Sequence, residues 1–298
     1  MTQRNKLVAN RVLRNVLRYA FFVGPAGAIY AVFVLKPLIG TIWLSLYEWN
    51  GAGPKVFLGL ANYAELARDQ VFWIALRNNL IWILASVINP MLIGLVIAAV
   101  LANLRRGRII YQTVFFSPVV LNLVVVGIVW GLMYNPILGV INSTLRFVGL
   151  ESWTRGWLGD PFWTVPSIIL AGNWTFFGFC MVIFLAGMQS ISKDIYEAAM
   201  LDGASAFTQF TKITIPELSN HINLLVVYSI IGSFKVFDIT YVMTKGGPNH
   251  ASEVMATYLY WQVFTNGRVG YGTAIATMLT LIVLTLSLLF LSKREVSG

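Results

Sequence analysis

The sequence predicts an all-α membrane protein of six transmembrane helices with both termini in the cytoplasm. Three observations carry that expectation. Of the 298 residues, 57% are hydrophobic and only 11% are charged, whereas soluble domains carry about 25% charged residues. Six apolar stretches reach the roughly 20 residues that a helix needs to cross a hydrocarbon core. The basic residues fall on alternate loops. A mean hydropathy of +0.73 excludes a soluble single-core domain and a disordered chain.

The six stretches are residues 19–46, 72–104, 109–134, 164–189, 221–243 and 271–291. The first is interrupted by Lys36-Pro37, and the second contains Asn89-Pro90, which predicts a kink. The first stretch is too long for a signal-peptide core and has no small-residue cleavage site after it, so it reads as an anchor. Orientation follows from charge. Arg4, Lys6, Arg11, Arg14, Arg18, Arg105, Arg106, Arg108, Lys193, Lys212, Lys293 and Arg294 lie on one side. Lys55, Arg68, Arg77, Arg146, Arg155, Lys245 and Arg268 lie on the other, offset by acids. The richer side is cytoplasmic. The chain then divides into a cytoplasmic segment 1–18, a transmembrane domain 19–291 and a cytoplasmic tail 292–298. The net charge of +9 is a topology signal, and no nucleic acid is implied.

Chemistry-bearing residues are sparse. A single cysteine, Cys180, forbids an internal disulfide, and two histidines, His221 and His250, leave little for a metal. No catalytic cluster and no metal site are expected. No lysine is followed by Ser or Thr, so no GK[ST] phosphate loop is possible and any ATP must be hydrolysed by another chain.

The long cytoplasmic loop 190–220 is the most informative segment. Ser192 can cap a short helix reaching residue 201, with Asp194 and Glu197 at its positive end. Ile195, Ala198, Ala199 and Ala206 offer a small, weakly apolar face. Gly203 can take a positive φ and turn the chain into a second short helix. A helix lying on the bilayer would carry a dominant basic face, yet this loop has Lys193 and Lys212 against Asp194, Glu197, Asp202 and Glu217. A protruding helix–turn–helix of this kind suits docking into a basic cytosolic partner.

Glu197-Ala198-Ala199, Asp202-Gly203-Ala204 and Ile213-Thr214-Ile215-Pro216 together resemble the EAA loop of ABC importer permeases. The segments 57–63 (FLGLANY), 134–142 (YNPILGVIN), 244–248 (TKGGP) and 270–274 (GYGTA) resemble other landmarks of the carbohydrate-uptake branch, the maltose/glycerol-3-phosphate type. Ser192, Asn79 and Lys36 depart from that pattern. The resemblance implies the type I ABC importer permease fold and a place in a bacterial or archaeal cell membrane. It also implies a second homologous permease subunit, two ATPase subunits holding ATP and Mg, an extracytoplasmic solute-binding protein docked on loops 48–71, 135–163 and 244–270, and surrounding membrane lipid. No cofactor is expected on this chain. Coupling to the ATPase would fall to Glu197, Ala198, Ala199, Asp202, Gly203, Ile213 and Pro216.

Polar residues within spans are costly and face a cavity or another helix. Ser229, Gly232, Ser233 and Val236 are spaced to share one face of the fifth helix. The fourth carries Asn173-Trp174-Thr175-Phe176-Phe177-Gly178-Phe179. Hydroxyls beside aromatic rings suit a sugar, and the resemblance places Phe176, Phe179, Ser229 and Ser233 at substrate positions. Lys235 and Asp238, three apart, can form a structural ion pair; with an anionic substrate, such as glycerol-3-phosphate or an acidic sugar, Lys235 would be a substrate contact. Gly94-x-x-x-Ala98 and Gly127-x-x-x-Gly131 read as helix-packing pairs. An ion-gradient-driven secondary transporter, the competing class, would want acids or histidines at mid-membrane. The sequence offers only Asp238, near a span edge.

Overall fold

A computed structural model describes residues 21–104 and 106–295. The basic N-terminal segment 1–18, Arg105 and the end of the tail at 296–298 lie outside the described residues. The described chain is helical apart from one minimal hairpin, and it packs as two units. One holds the chain up to Leu66 with Gln262–Thr277, and the other holds Ala67–Trp261 with Met278 onward.

In the first unit, α1 (Phe21–Leu44) is apolar apart from Lys36 and a few small polar or aromatic positions, and none of its apolar window is buried by the rest of the chain. Such a helix needs an apolar solvent on every side. Its backbone widens to π geometry at Ala31–Leu35, just before Lys36-Pro37, where proline supplies no N–H to the ladder. Strands β1 (Tyr47–Glu48) and β2 (Val56–Phe57) pair antiparallel. The FLGLANY segment locks this turn. Asn62 Nδ2 donates to the carbonyls of Ser45 (2.8 Å) and Tyr47 (3.0 Å), and the Tyr63 and Ser45 hydroxyls lie 2.6 Å apart.

In the second unit, α3 (Gln70–Ala102) and α7 (Pro161–Ser190) form the central pair. Asp69 and Asp160 cap them, accepting from the N–H groups of Val71 (2.9 Å) and Phe162 (2.8 Å). α3 continues through Pro90. The expected small-residue contact is present: a Cβ on Gly94 would lie 2.7 Å from both Cys180 Cβ and Met181 N. Around it Met91, Ala98, Leu101, Cys180, Met181, Phe184 and Leu185 are buried. The second such pair is half right, because Gly127 packs on Val242 but Gly131 has nothing within 4 Å.

Two expected straight spans are broken. The stretch 109–134 folds as α4 (Arg108–Phe116), a 3-10 turn Ser117–Val120 and α5 (Leu123–Met133), bent by 94°. Pro118 starts the break by withholding a donor, and Asn122 restarts the helix by accepting from Val124 N–H at 2.8 Å. After α6 (Val140–Phe147), α7 and the loop 190–220, the stretch 221–243 folds as α10 (Ser219–Lys235) and α11 (Asp238–Thr244), bent by 44°. Val236 between them is extended (ψ 114°), which takes Lys235 and Asp238 off a common helix. Their expected ion pair is absent among the described residues, where the ion pairs are Arg268–Glu65 and His250–Glu253. Four helices, or six if each bent pair counts as one, are long and apolar enough to span. α13 (Val269–Glu295) is the last, so helix replaces part of the expected tail.

The N-terminal part of α3 is stitched to the loop that follows α11. Asn79 Nδ2 donates to Ser233 O (2.6 Å), a carbonyl in the last turn of α10 that has no intrahelical partner. Asn79 Oδ1 accepts from Met255 N–H (2.9 Å), at the start of α12 (Met255–Tyr260). Asn78 Nδ2 holds the carbonyls of Ala251 and Glu253, both at 2.8 Å. The Gly246-Gly247-Pro248 turn, with a cis Gly247-Pro248 bond, closes over the Glu253 carboxylate, which is 1% exposed and meets His250 Nδ1 at 3.1 Å. Burial pushes this carboxyl above the usual carboxylate range, and the His250 hydrogen bond opposes that only in part.

Two outcomes follow from this packing. Gly94→Leu should lower the thermal midpoint of the detergent-solubilised protein by an overpacking cost of about 1–3 kcal/mol, whereas Gly131→Leu should leave it unchanged. Because the folded-state pKa of Glu253 is raised, its contribution is full below the ordinary carboxylate value and is lost as pH rises through the raised one. The thermal-midpoint advantage of Glu253→Gln over the wild type should therefore grow as pH is raised from mildly acidic to mildly basic.

Candidate substrate cavity and coupling loop

The two span breaks and the α3–α7 pair enclose a cavity of about 280 Å³. Non-helical backbone at membrane depth is tolerated where it lines such a space. Val119, Leu121 and Leu123 of the first break form one wall, and Val236 of the second another. Phe176 and Phe179 project from α7 and Tyr228 from α10. The Phe176 and Tyr228 rings stack at 5.5 Å and 11°, and Phe179 lies 5.2 Å from Tyr228. Ser229, Gly232 and Ser233 complete the α10 side. The Ser229 and Ser233 hydroxyls are buried with no hydrogen-bond partner among the described residues. Trp82 and Ser86 enter from α3, and Ser86 Oγ donates to Asn173 Oδ1 at 3.0 Å. No charged side chain is among the described residues that line the space.

Of the five residues expected at a substrate site, Phe176, Phe179, Ser229 and Ser233 meet here. Lys235 does not: it is exposed and outside the lining. The shared face of Ser229, Gly232, Ser233 and Val236 is real even though the helix ends before Val236. Tyr228, Trp82 and Ser86 were missed. Tyr228 was signalled by its four-residue spacing from Gly232. The α3 residues had no signal, since they reach the cavity only through tertiary packing.

The loop 190–220 forms α8 (Lys193–Leu201) and α9 (Ala206–Gln209), which continues into a π turn at Phe210–Thr214. Ser192 Oγ caps α8 by accepting from Asp194 N–H at 3.3 Å. Gly203 takes φ +78°, and the bonds Gly203 N–H to Met200 O (3.0 Å) and Ala204 N–H to Ala199 O (2.9 Å) close a Schellman end. The Tyr196 hydroxyl lies 2.8 Å from that of Thr214, which ties α8 to the stem leading into α10. Glu197, Ala198, Asp202, Gly203 and Pro216 are exposed, while Ala199 and Ile213 are half-buried. The exposed face is more apolar than the alanines alone imply. Leu201 is 90% exposed and Phe207 76%, and Met200 and Ile195 of α8 are exposed as well. Large apolar side chains left bare together mark a contact surface.

Comparison with known proteins agrees with this layout. Residues 90–294 match the family described as binding-protein-dependent transport system inner membrane component. The chain is 39% identical to the probable ABC transporter permease protein YurN of Bacillus subtilis, over 92% of this chain and 94% of that one. It is 36% identical to the lactose transport system permease protein LacF of Rhizobium radiobacter, over 92% and 93%. Its fold is similar to that of a bacterial alginate ABC transporter solved in complex with an alginate pentasaccharide-bound periplasmic protein, with a TM-score of 0.81 at 24% identity over 94% of each chain. With the broken spans, the cavity and the exposed loop already in place, these matches settle the family: the chain is a binding-protein-dependent inner membrane component, a permease subunit of an ABC transporter.

Proposed function

We propose that this chain is one permease half of an ATP-driven importer for a neutral mono- or oligosaccharide, with both termini cytoplasmic and a homologous second permease beside it. The observation that carries the substrate class is the uncharged cavity in which three aromatic rings stand beside two unpartnered hydroxyls. A sugar presents C–H faces that lie against rings and hydroxyls that need partners. An anionic substrate would lose its hydration there with no cation to replace it, so the glycerol-3-phosphate and acidic-sugar alternatives fit this cavity poorly. Relatives named for lactose and for trehalose/maltose transport support the same class.

Energy enters through the cytoplasmic loop. With no phosphate loop of its own, the chain depends on two ATPase subunits that bind ATP and Mg. The bare Leu201 and Phe207 would seat in a groove of the ATPase, with Glu197 and Asp202 against its basic rim. Gly203 sets the angle between α8 and α9, and the Tyr196–Thr214 contact makes the loop stiff enough to push. Closure of the ATPase pair would move α7 and α10, which flank the loop and carry the aromatic and hydroxyl walls of the cavity. That is a rigid-body switch. An extracytoplasmic binding protein would deliver the sugar to the loops on the opposite side.

Three variants test this. In proteoliposomes holding the complete assembly, Phe176→Ala should raise the half-saturating sugar concentration for uptake about tenfold, the loss of roughly 1.4 kcal/mol of stacking, with the basal ATPase rate unchanged. Gly203→Pro cannot take the left-handed φ and lacks the Schellman N–H. It should leave the chain in the membrane yet abolish both uptake and substrate-stimulated ATPase activity. Leu201→Asp should reduce the ATPase that co-purifies. Normal transport by the Gly203→Pro assembly would rule out the coupling role.

A further inference from the structure

The segment between α5 and α7 leaves an apolar face bare. Ile137, Leu138, Val140, Phe147, Val148 and Trp153 are all exposed, Leu138 at 84% and Phe147 at 91%. Val140 and Phe147, seven apart, stand on one side of α6. So many large apolar side chains left bare within one short segment mark a contact surface.

The segment is folded down onto the span ends. Asn142 is buried at its centre and ties its two arms together. Its Nδ2 donates to the carbonyls of Pro136 (3.1 Å) and Arg155 (2.8 Å), and its Oδ1 accepts from Arg155 N–H (3.3 Å) and Trp157 Nε1 (2.8 Å). The Trp157 ring then lies 6.1 Å from Tyr134, which closes α5, and 5.7 Å from Trp163, in the first turn of α7. A Cβ on Gly139 would overlap the carbonyl oxygens of Met133 and Asn135, so only glycine lets α6 turn back this closely on the end of α5. α6 is thereby held at the level where one span ends and the next begins.

That level has the marks of a bilayer surface. Tyr134, Trp157 and Trp163 gather there with Trp153 in the same segment, and Trp and Tyr concentrate where hydrocarbon meets water. Leu132 near the end of α5 and Phe162 at the start of α7 are bare as well, so the exposed apolar run extends into both spans. α6 contains no acid, and its one charged residue is Arg146, the sign that a layer of phosphate headgroups accepts. A soluble protein that must leave after each delivery uses a surface about as apolar as the rest of its partner's exterior, which this face exceeds.

We infer that α6 and its flanks seat in the lipid leaflet at this end of the spans, as an interfacial helix whose partner is the bilayer itself. The loop 135–163, which the family resemblance gives to the binding protein, then turns its apolar face to lipid. The inference needs only the membrane-spanning fold and does not depend on the sugar reading.

The test places a nitroxide on the complete permease–ATPase assembly in lipid nanodiscs, at Leu138→Cys and at Phe147→Cys, with the buried Cys180 exchanged by Cys180→Ala. Collisions with oxygen, which concentrates in hydrocarbon, are compared with collisions with a water-soluble nickel chelate. At both sites oxygen collisions should exceed nickel collisions several-fold, and added sugar-loaded binding protein should leave both values unchanged. Nickel collisions that match oxygen collisions at either site would put the face in water and overturn the inference. Few collisions of either kind before the binding protein is added would assign the face to the second permease. Loss of both only after its addition would assign the face to docking. Either of these results overturns the inference as well. Sugar uptake by the same labelled assemblies is a separate readout, so failure of the transport reading is told apart from failure of this one.

Discussion

In hydrocarbon every backbone polar group must find its partner inside the protein, and the second unit is organised around that constraint. Helices satisfy it by themselves, so α3 and α7 run unbroken and pack closely at Gly94. A break frees N–H and C=O groups that something else must engage. At the first break Asn122 supplies the acceptor that restarts α5. At the second, Asn79 reaches from α3 to the Ser233 carbonyl at the end of α10. At each of these two breaks an asparagine absorbs part of the cost, and both breaks line the same cavity.

This links the cavity to the outer loop. Asn79 holds Ser233 with one end of its amide and the start of α12 with the other, while Asn78 holds the loop backbone on either side of Ser252. The hydroxyl wall of the cavity and the loop that buries Glu253 therefore share one pair of side chains. At the other end of α10 the same wall continues into the stem that Tyr196 ties to α8. A displacement at the proposed ATPase contact has a continuous route through α10 to the substrate space. The unpartnered hydroxyls of Ser229 and Ser233 fit that picture, since a buried hydroxyl left without a partner costs stability and is tolerated where a ligand completes it.

In the loop 190–220 the cap at Ser192 and the left-handed Gly203 form as the sequence predicts. The largest bare apolar side chains of the loop are Leu201 and Phe207, which the alanine pattern does not signal. A short helix with small residues on one side brings its larger neighbours forward, and a tight turn at Gly203 puts residues from both arms on the exposed face.

The sequence by itself determined the class of protein, the positions of the apolar stretches, the caps, the Gly203 turn and four of the substrate-site candidates. The stretches, the caps and the Gly203 turn depend on composition or on spacing within one element, and such properties survive any arrangement of neighbours; the permease class and the positions of Phe176, Phe179, Ser229 and Ser233 follow from the resemblance of the motifs. Tertiary structure alone decided that two stretches break, that Lys235 and Asp238 part, that Trp82, Ser86 and Tyr228 join the cavity, and that Asn62 and Asn79 are backbone clamps. Those outcomes turn on which carbonyl, from tens to more than a hundred residues away, is left without a donor. Local periodicity carries no record of that; only the folded packing of one helix end against another does.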